Sequence, residues 1–147
     1  MNRLAAHGVP LLGFVFGACA SGGGAVPAVP APVLEHEQVR AVVQEALQAD
    51  AASRSADTLY AIGASVVADG LPRTAPPRFA GIRTGGSVMV SNIALEITPF
   101  LAWATAEYRW LTPEGSLGAL GRATFVLERL GGQWRIKHVH SSAIQPE

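Results

Sequence analysis

The chain has 147 residues, enough for one domain with a tail left over. Its 11 basic and 11 acidic side chains cancel, which argues against nucleic-acid binding, since that needs a clustered basic surface. With a single cysteine, Cys19, neither an intramolecular disulfide nor a cysteine-built zinc site can form.

The first segment reads as a processing signal. Arg3 supplies a small positive n-region, and Val9 to Ala18 form a short apolar run. That run is about half of the roughly 20 residues a membrane span requires and suits the h-region of a secretory signal. It ends in Phe16-Gly17-Ala18-Cys19, which resembles a bacterial lipobox, although leucine is usual where Phe16 stands. Acylation of Cys19 would then anchor the protein to a membrane. Ala18-Cys19-Ala20 also fits ordinary signal cleavage after Ala20, leaving a secreted or soluble periplasmic protein. Ser21 to Pro32 is rich in glycine and then proline, a tether that cannot build a core. The expected division is a signal over 1–18, a tether with lipidated Cys19 over 19–33, and a folded domain over 34–147. The expected location is extracytoplasmic, on the outer membrane facing the periplasm.

The spacing of Leu34, Val39, Val42, Val43, Ala46 and Leu47 predicts a helix from Val33 to about Ala56, with a break around Ser53 to Ser55. Glu35 and Glu37 suit its first turn. Ala56 to Tyr60 reads as a second short helix or turn. Ile62 to Ala68 is a short strand ending at the turn signal Asp69-Gly70. Leu71 to Pro77 holds three prolines and reads as loop, and Arg78 to Ile82 as a small helix or irregular segment. Beyond the Gly85-Gly86 turn, Ser87 to Thr98 is a strand whose apolar parity slips between Val90 and Ile93, which predicts a bulge near Ser91-Asn92. Leu101 to Leu111 alternates, with Leu101 and Trp103 on one face and Ala102, Ala104, Ala106, Tyr108 and Trp110 on the other.

After the Thr112 to Gly115 turn, the last hairpin is the most patterned part of the chain. Ala123, Phe125 and Leu127 share one face, and Gly131-Gly132 accepts the positive φ of a tight turn. Trp134 and Ile136 share a face of the final strand. In a regular strand, His138 and His140 extend that row. Helices followed by antiparallel strands indicate an α+β domain, a curved sheet wrapped around the N-terminal helices. Such a cone has an open mouth suited to a small molecule.

The chain resembles the NTF2-like superfamily, in particular its SnoaL-like branch. The resemblance is carried by Ala56-Asp-Thr-Leu-Tyr60, Ala68-Asp-Gly70, Tyr108-Arg-Trp-Leu-Thr112 and, above all, Gly131-Gly-Gln-Trp-Arg-Ile-Lys-His-Val-His-Ser-Ser142, and it covers roughly residues 34 to 143. It implies a cone-shaped α+β fold, commonly homodimeric through the outer sheet face. The superfamily includes isomerases, cyclases, dehydratases, carriers and architectural dimers, so the fold leaves function open.

His138 and His140 are the sharpest site candidates, because a neutral histidine inside the cone can exchange hydrogen bonds or act as a base. The competing reading is a structural histidine, or one displaced outward by a bulge. Tyr60 is the candidate to close the cavity with its hydroxyl. Trp103 and Trp110 have opposite parity, so one should line the core and the other the dimer interface. Asp57 and Asp69 suit capping and turn formation. Glu107 pairs with Arg109 or Arg122 in the plainer reading. The expected ligand-binding set is therefore Tyr60, Trp103, His138 and His140, with His140 as candidate base, Cys19 as lipidation site, and no metal or cofactor. Three functions follow. One is a tethered homodimeric module binding a small, partly apolar molecule. Another is a cofactor-independent isomerase, cyclase or dehydratase. The third is an architectural dimer with a filled cavity.

Overall fold

The structure, a computed structural model, describes residues 31–145. The expected signal, the lipobox with Cys19 and nearly all of the tether lie outside the described residues. Helix α1 spans Ala31–Ala51, a single 3-10 turn covers Asp57–Leu59, and six strands follow: β1 Tyr60–Ala68, β2 Leu71–Pro72, β3 Ser87–Ile97, β4 Leu101–Leu111, β5 Leu117–Leu130 and β6 Gln133–Ile144. They form one sheet in the order β2-β1-β6-β5-β4-β3. The β1–β6 pair is parallel and the other neighbours are antiparallel. The α+β expectation holds, with one helix on the sheet where several were expected.

Helix α1 buries Val39, Val43, Ala46, Leu47 and Asp50, a stripe at helical spacing that lies against the concave sheet face. Leu34, expected on that stripe, is exposed. The helix begins at Ala31, so Glu35 falls beyond the first turn and bonds Arg129 on β5 at 2.7 Å. It stops at Ala51 rather than near Ala56, where Ser53 takes a positive φ of 52°. Asp69 and Gly70 both have positive φ, the condition for a two-residue turn between β1 and β2. Leu71 and Pro72, expected as loop, pair with the end of β1 at the sheet edge, where a proline costs no ladder bond.

The long strands follow their alternation. Ala102, Ala104, Ala106, Tyr108 and Trp110 are buried on β4, opposite Leu127, Phe125, Ala123, Gly121 and Ala119 on β5. The predicted bulge is present, since the β3–β4 register shifts between Val90 and Asn92. Gly131 and Gly132 turn the β5–β6 hairpin with positive φ.

Strand β6 departs from the regular reading. Val126 pairs with His138 while Leu127 pairs with Ile136, so Lys137 is an extra residue with no partner on β5. A bulge of this kind resets side-chain parity. Trp134 and Ile136 point into the core, and beyond Lys137 the inward row continues with Val139 and Ser141. His138 and His140 are turned to the outer face.

Candidate functional site

The middle of the concave side is packed with side chains, and an apolar groove of about 340 Å³ remains between α1 and Trp134 on β6. Phe79 enters it from the loop after β2, its ring 5.6 Å from Phe125 and 6.5 Å from Tyr108. Tyr108 donates its hydroxyl hydrogen to the carbonyl of Ala80 at 2.6 Å, and Ser141 Oγ accepts from the Ala80 amide at 3.0 Å. The Trp110 indole donates to the carbonyl of Gly85 at 2.9 Å. Segment 78–82 is tied to the helix by Asp50, whose two oxygens accept the amide hydrogens of Arg78 at 2.7 and 2.8 Å and of Phe79 at 3.0 Å. Burial pushes the Asp50 carboxyl above its ordinary range in spite of those amides. Burial likewise raises the Tyr108 phenol.

The histidines expected inside lie on the other side of the sheet. His138 Nδ1 is 2.7 Å from Ser65 Oγ, and His140 is exposed between Thr124 and Val67. The Lys137 bulge is the physical reason, and the pair does not line an interior cavity. Trp103 is on the same outer face, 40% exposed and opposite Glu96 and Val126, while Trp110 is the core tryptophan. Asp69 takes a positive φ in the turn between β1 and β2, as expected, while its side chain accepts the amide of Ala143 on β6 at 2.9 Å. The cap position of the 3-10 turn falls on Ala56, and Asp57 is its first residue. Glu107 pairs with Arg122 at 2.6 Å on the exposed face.

Tyr60 is the expected site residue that meets other chemistry-bearing groups. The Arg78 guanidinium lies 4.8 Å from its ring centroid and bonds Asp57 at 2.7 Å. The bond from Arg78 holds the Asp57 carboxyl below its ordinary range, with Ser55 adding a second hydrogen bond. Burial raises the Tyr60 phenol, so it stays protonated and able to donate at neutral pH. Burial works against the charge of Arg78, but the Asp57 carboxylate and the adjacent Tyr60 outweigh that and raise its guanidinium above the ordinary value.

These groups wall a surface pocket of about 390 Å³ that also takes in Ile62, Arg73 and Thr74. Its floor is unusual backbone. Tyr60 pairs with Ile136 and Ser65 with His138, leaving residues 61–64 without a Cα partner on β6. On the other side, β2 pairs only with Val67 and Ala68. Gly63 sits in this stretch with a φ of 73°, a conformation that glycine adopts without strain. Arg73, exposed at the rim, has no ion-pair partner among the described residues. Sequence reasoning missed Arg73 and Arg78. The one available signal was a pair of arginines bracketing a proline-rich loop beside the strand that carries Tyr60.

A family model described as SnoaL-like domain matches residues 71–146. No curated protein matches the chain. Among solved structures, a candidate dehydratase of the NTF2-like family from Streptomyces avermitilis superposes with a TM-score of 0.62 at 20% identity, covering 78% of this chain and 99% of that one. An NTF2-like protein of unknown function from Pseudomonas putida gives 0.58 at 20% identity, covering 78% and 89%. A candidate ketosteroid isomerase from Parabacteroides distasonis gives 0.54 at 15% identity, covering 74% and 86%. At these identities the likeness concerns the fold.

Proposed function

This chain belongs to the SnoaL-like domain family, and from that premise we propose that it is a small-molecule-binding module whose site is the pocket beside Tyr60. The observation that carries the reading is the juxtaposition of ladder-free backbone at 61–64 with Tyr60, Arg73 and Arg78. Backbone without Cα partners on β6, set beside an aromatic ring and a guanidinium, offers polar contacts against an apolar surface, the usual makeup of a ligand site. The volume lies within the range of small-molecule pockets.

Binding ranks above proton-transfer catalysis on the placement of the acids and bases. His140 faces outward, and both oxygens of Asp50, the buried carboxylate, are held by backbone amides. A base must lie within reach of its substrate, and neither His140 nor Asp50 lines the pocket. The module further acts, in this reading, as an exported protein anchored through acylated Cys19 to the outer membrane facing the periplasm. It pairs with a second copy through the outer sheet face that carries Trp103. The sequence of the signal and the partly exposed tryptophan support these two parts.

A fragment screen on the ¹⁵N-labelled full chain tests the site. Binding fragments should move the amide signals of Ile62, Gly63, Ala64 and Thr74. A screen in which hits cluster elsewhere, or in which those signals never move, overturns the reading. Native mass spectrometry of the same protein reads the dimer directly, and a monomer at working concentration removes that part.

A further inference from the structure

We infer that the pocket beside Tyr60 takes a monocarboxylate with an apolar or aromatic body, its carboxylate held by Arg73 and Arg78. This deepens the proposed function and rests on the pocket being the binding site.

The charge of the walls points to one negative charge on the ligand. Arg73 and Arg78 are positive, and Asp57 is the one carboxylate in the lining, so two guanidiniums face one carboxylate. Asp50 lies behind Arg78, outside the lining, with its oxygens on backbone amides. Arg78 is already engaged by Asp57 and by the Tyr60 ring, which fixes its plane at the pocket wall. Arg73 has no such engagement. A planar guanidinium with free donors matches a carboxylate in bidentate fashion. Asp57 on the same wall disfavours a dianion, because like charges at close range repel.

The apolar part of the ligand has its own counterpart. Ile62 is 98% exposed on the pocket lip, in the segment that leaves the sheet ladder. An isoleucine held fully in water beside two guanidiniums gains most from a ligand that carries both an anion and an apolar body. On the far side, Lys137 Nζ reaches the Ile62 carbonyl at 3.5 Å and ties the lip to the β6 bulge. The same bulge that turns the histidines outward therefore borders this pocket.

Benzoate and benzamide are isosteric probes that differ in charge. In titrations of the ¹⁵N-labelled full chain, benzoate should move the amide signals of Ile62, Gly63, Ala64 and Thr74 at a concentration at least tenfold lower than benzamide does. Arg73→Gln, a change at an exposed side chain, should bring benzoate to the level of benzamide while leaving the rest of the spectrum in place. Equal potency of the two probes would overturn the carboxylate assignment and leave the pocket standing. Failure of both to move those signals would overturn the assignment and the pocket together. Inorganic phosphate acting as strongly as benzoate, or benzoate shifts spread equally over Arg109, Arg122 and Arg135, would also overturn it, because either result describes general anion attraction.

Discussion

Gly121 lies directly opposite Tyr108 across the β4–β5 ladder, and the Tyr108 ring occupies the space where a side chain on Gly121 would stand. The phenol passes over the glycine to reach the carbonyl of Ala80. One missing side chain thus lets a ring from the sheet hold the 78–82 segment, which closes the concave face. Gly121→Ala should cost about 1–3 kcal/mol, the range for overpacking a core. Tyr108→Phe, which removes the bond and keeps the ring, should cost about 0.5–1.5 kcal/mol. Urea denaturation of the two variants checks the order, and a Gly121→Ala protein as stable as the parent would contradict the packing.

Alkaline titration reads the two tyrosines, Tyr60 and Tyr108, together. Burial raises both phenols above their ordinary value of about 10. A raised folded-state value means the fold favours the protonated form. That contribution is complete below the unfolded value and is lost as pH rises through the folded one. Stability should therefore fall above pH ~10, and tyrosinate absorbance should develop with unfolding rather than before it. Normal titration of both phenols in the intact fold would disprove this burial.

The parity reset at Lys137 makes neighbouring residues on β6 behave oppositely. Val139 is fully buried and His140 exposed. Val139→Ala should be destabilising by about 1–3 kcal/mol, whereas His140→Ala should stay within about 0.5 kcal/mol. Trp134→Ala, on the buried row before the bulge, should cost about 3–5 kcal/mol. The reverse order for Val139 and His140 in chemical denaturation would restore the regular strand.

Replacing Cys19 with Ser should move the protein from the membrane fraction to the soluble extract when it is expressed in a Gram-negative host. An acyl anchor contributes about 0.8 kcal/mol per buried methylene, so its loss leaves no comparable membrane affinity in the proposal. Unchanged membrane association of the variant counts against the lipid anchor.

Elements whose signal is local were legible in the amino-acid order. The α1 stripe of Val39, Val43, Ala46 and Leu47, the alternation of β4, the bulge at Ser91 and the Gly131-Gly132 turn all lie in their own periodicity. Residues close in sequence share one helix face or one strand face, so their pattern is fixed by backbone geometry. Features that depend on distant segments were legible only once the chain was packed. Nothing within β6 marks Lys137 as the extra residue, because a bulge is defined by the partner strand. The same holds for the pocket, where Arg78 meets Tyr60 and Asp57 only because Asp50, 28 residues away, anchors the Arg78 amide to the end of α1. It holds equally for the filling of the cone, since Phe79 reaches Phe125 and Tyr108 by chain reversal rather than by spacing. Periodicity says which side of an element is apolar, and only the packed chain says which groups meet there.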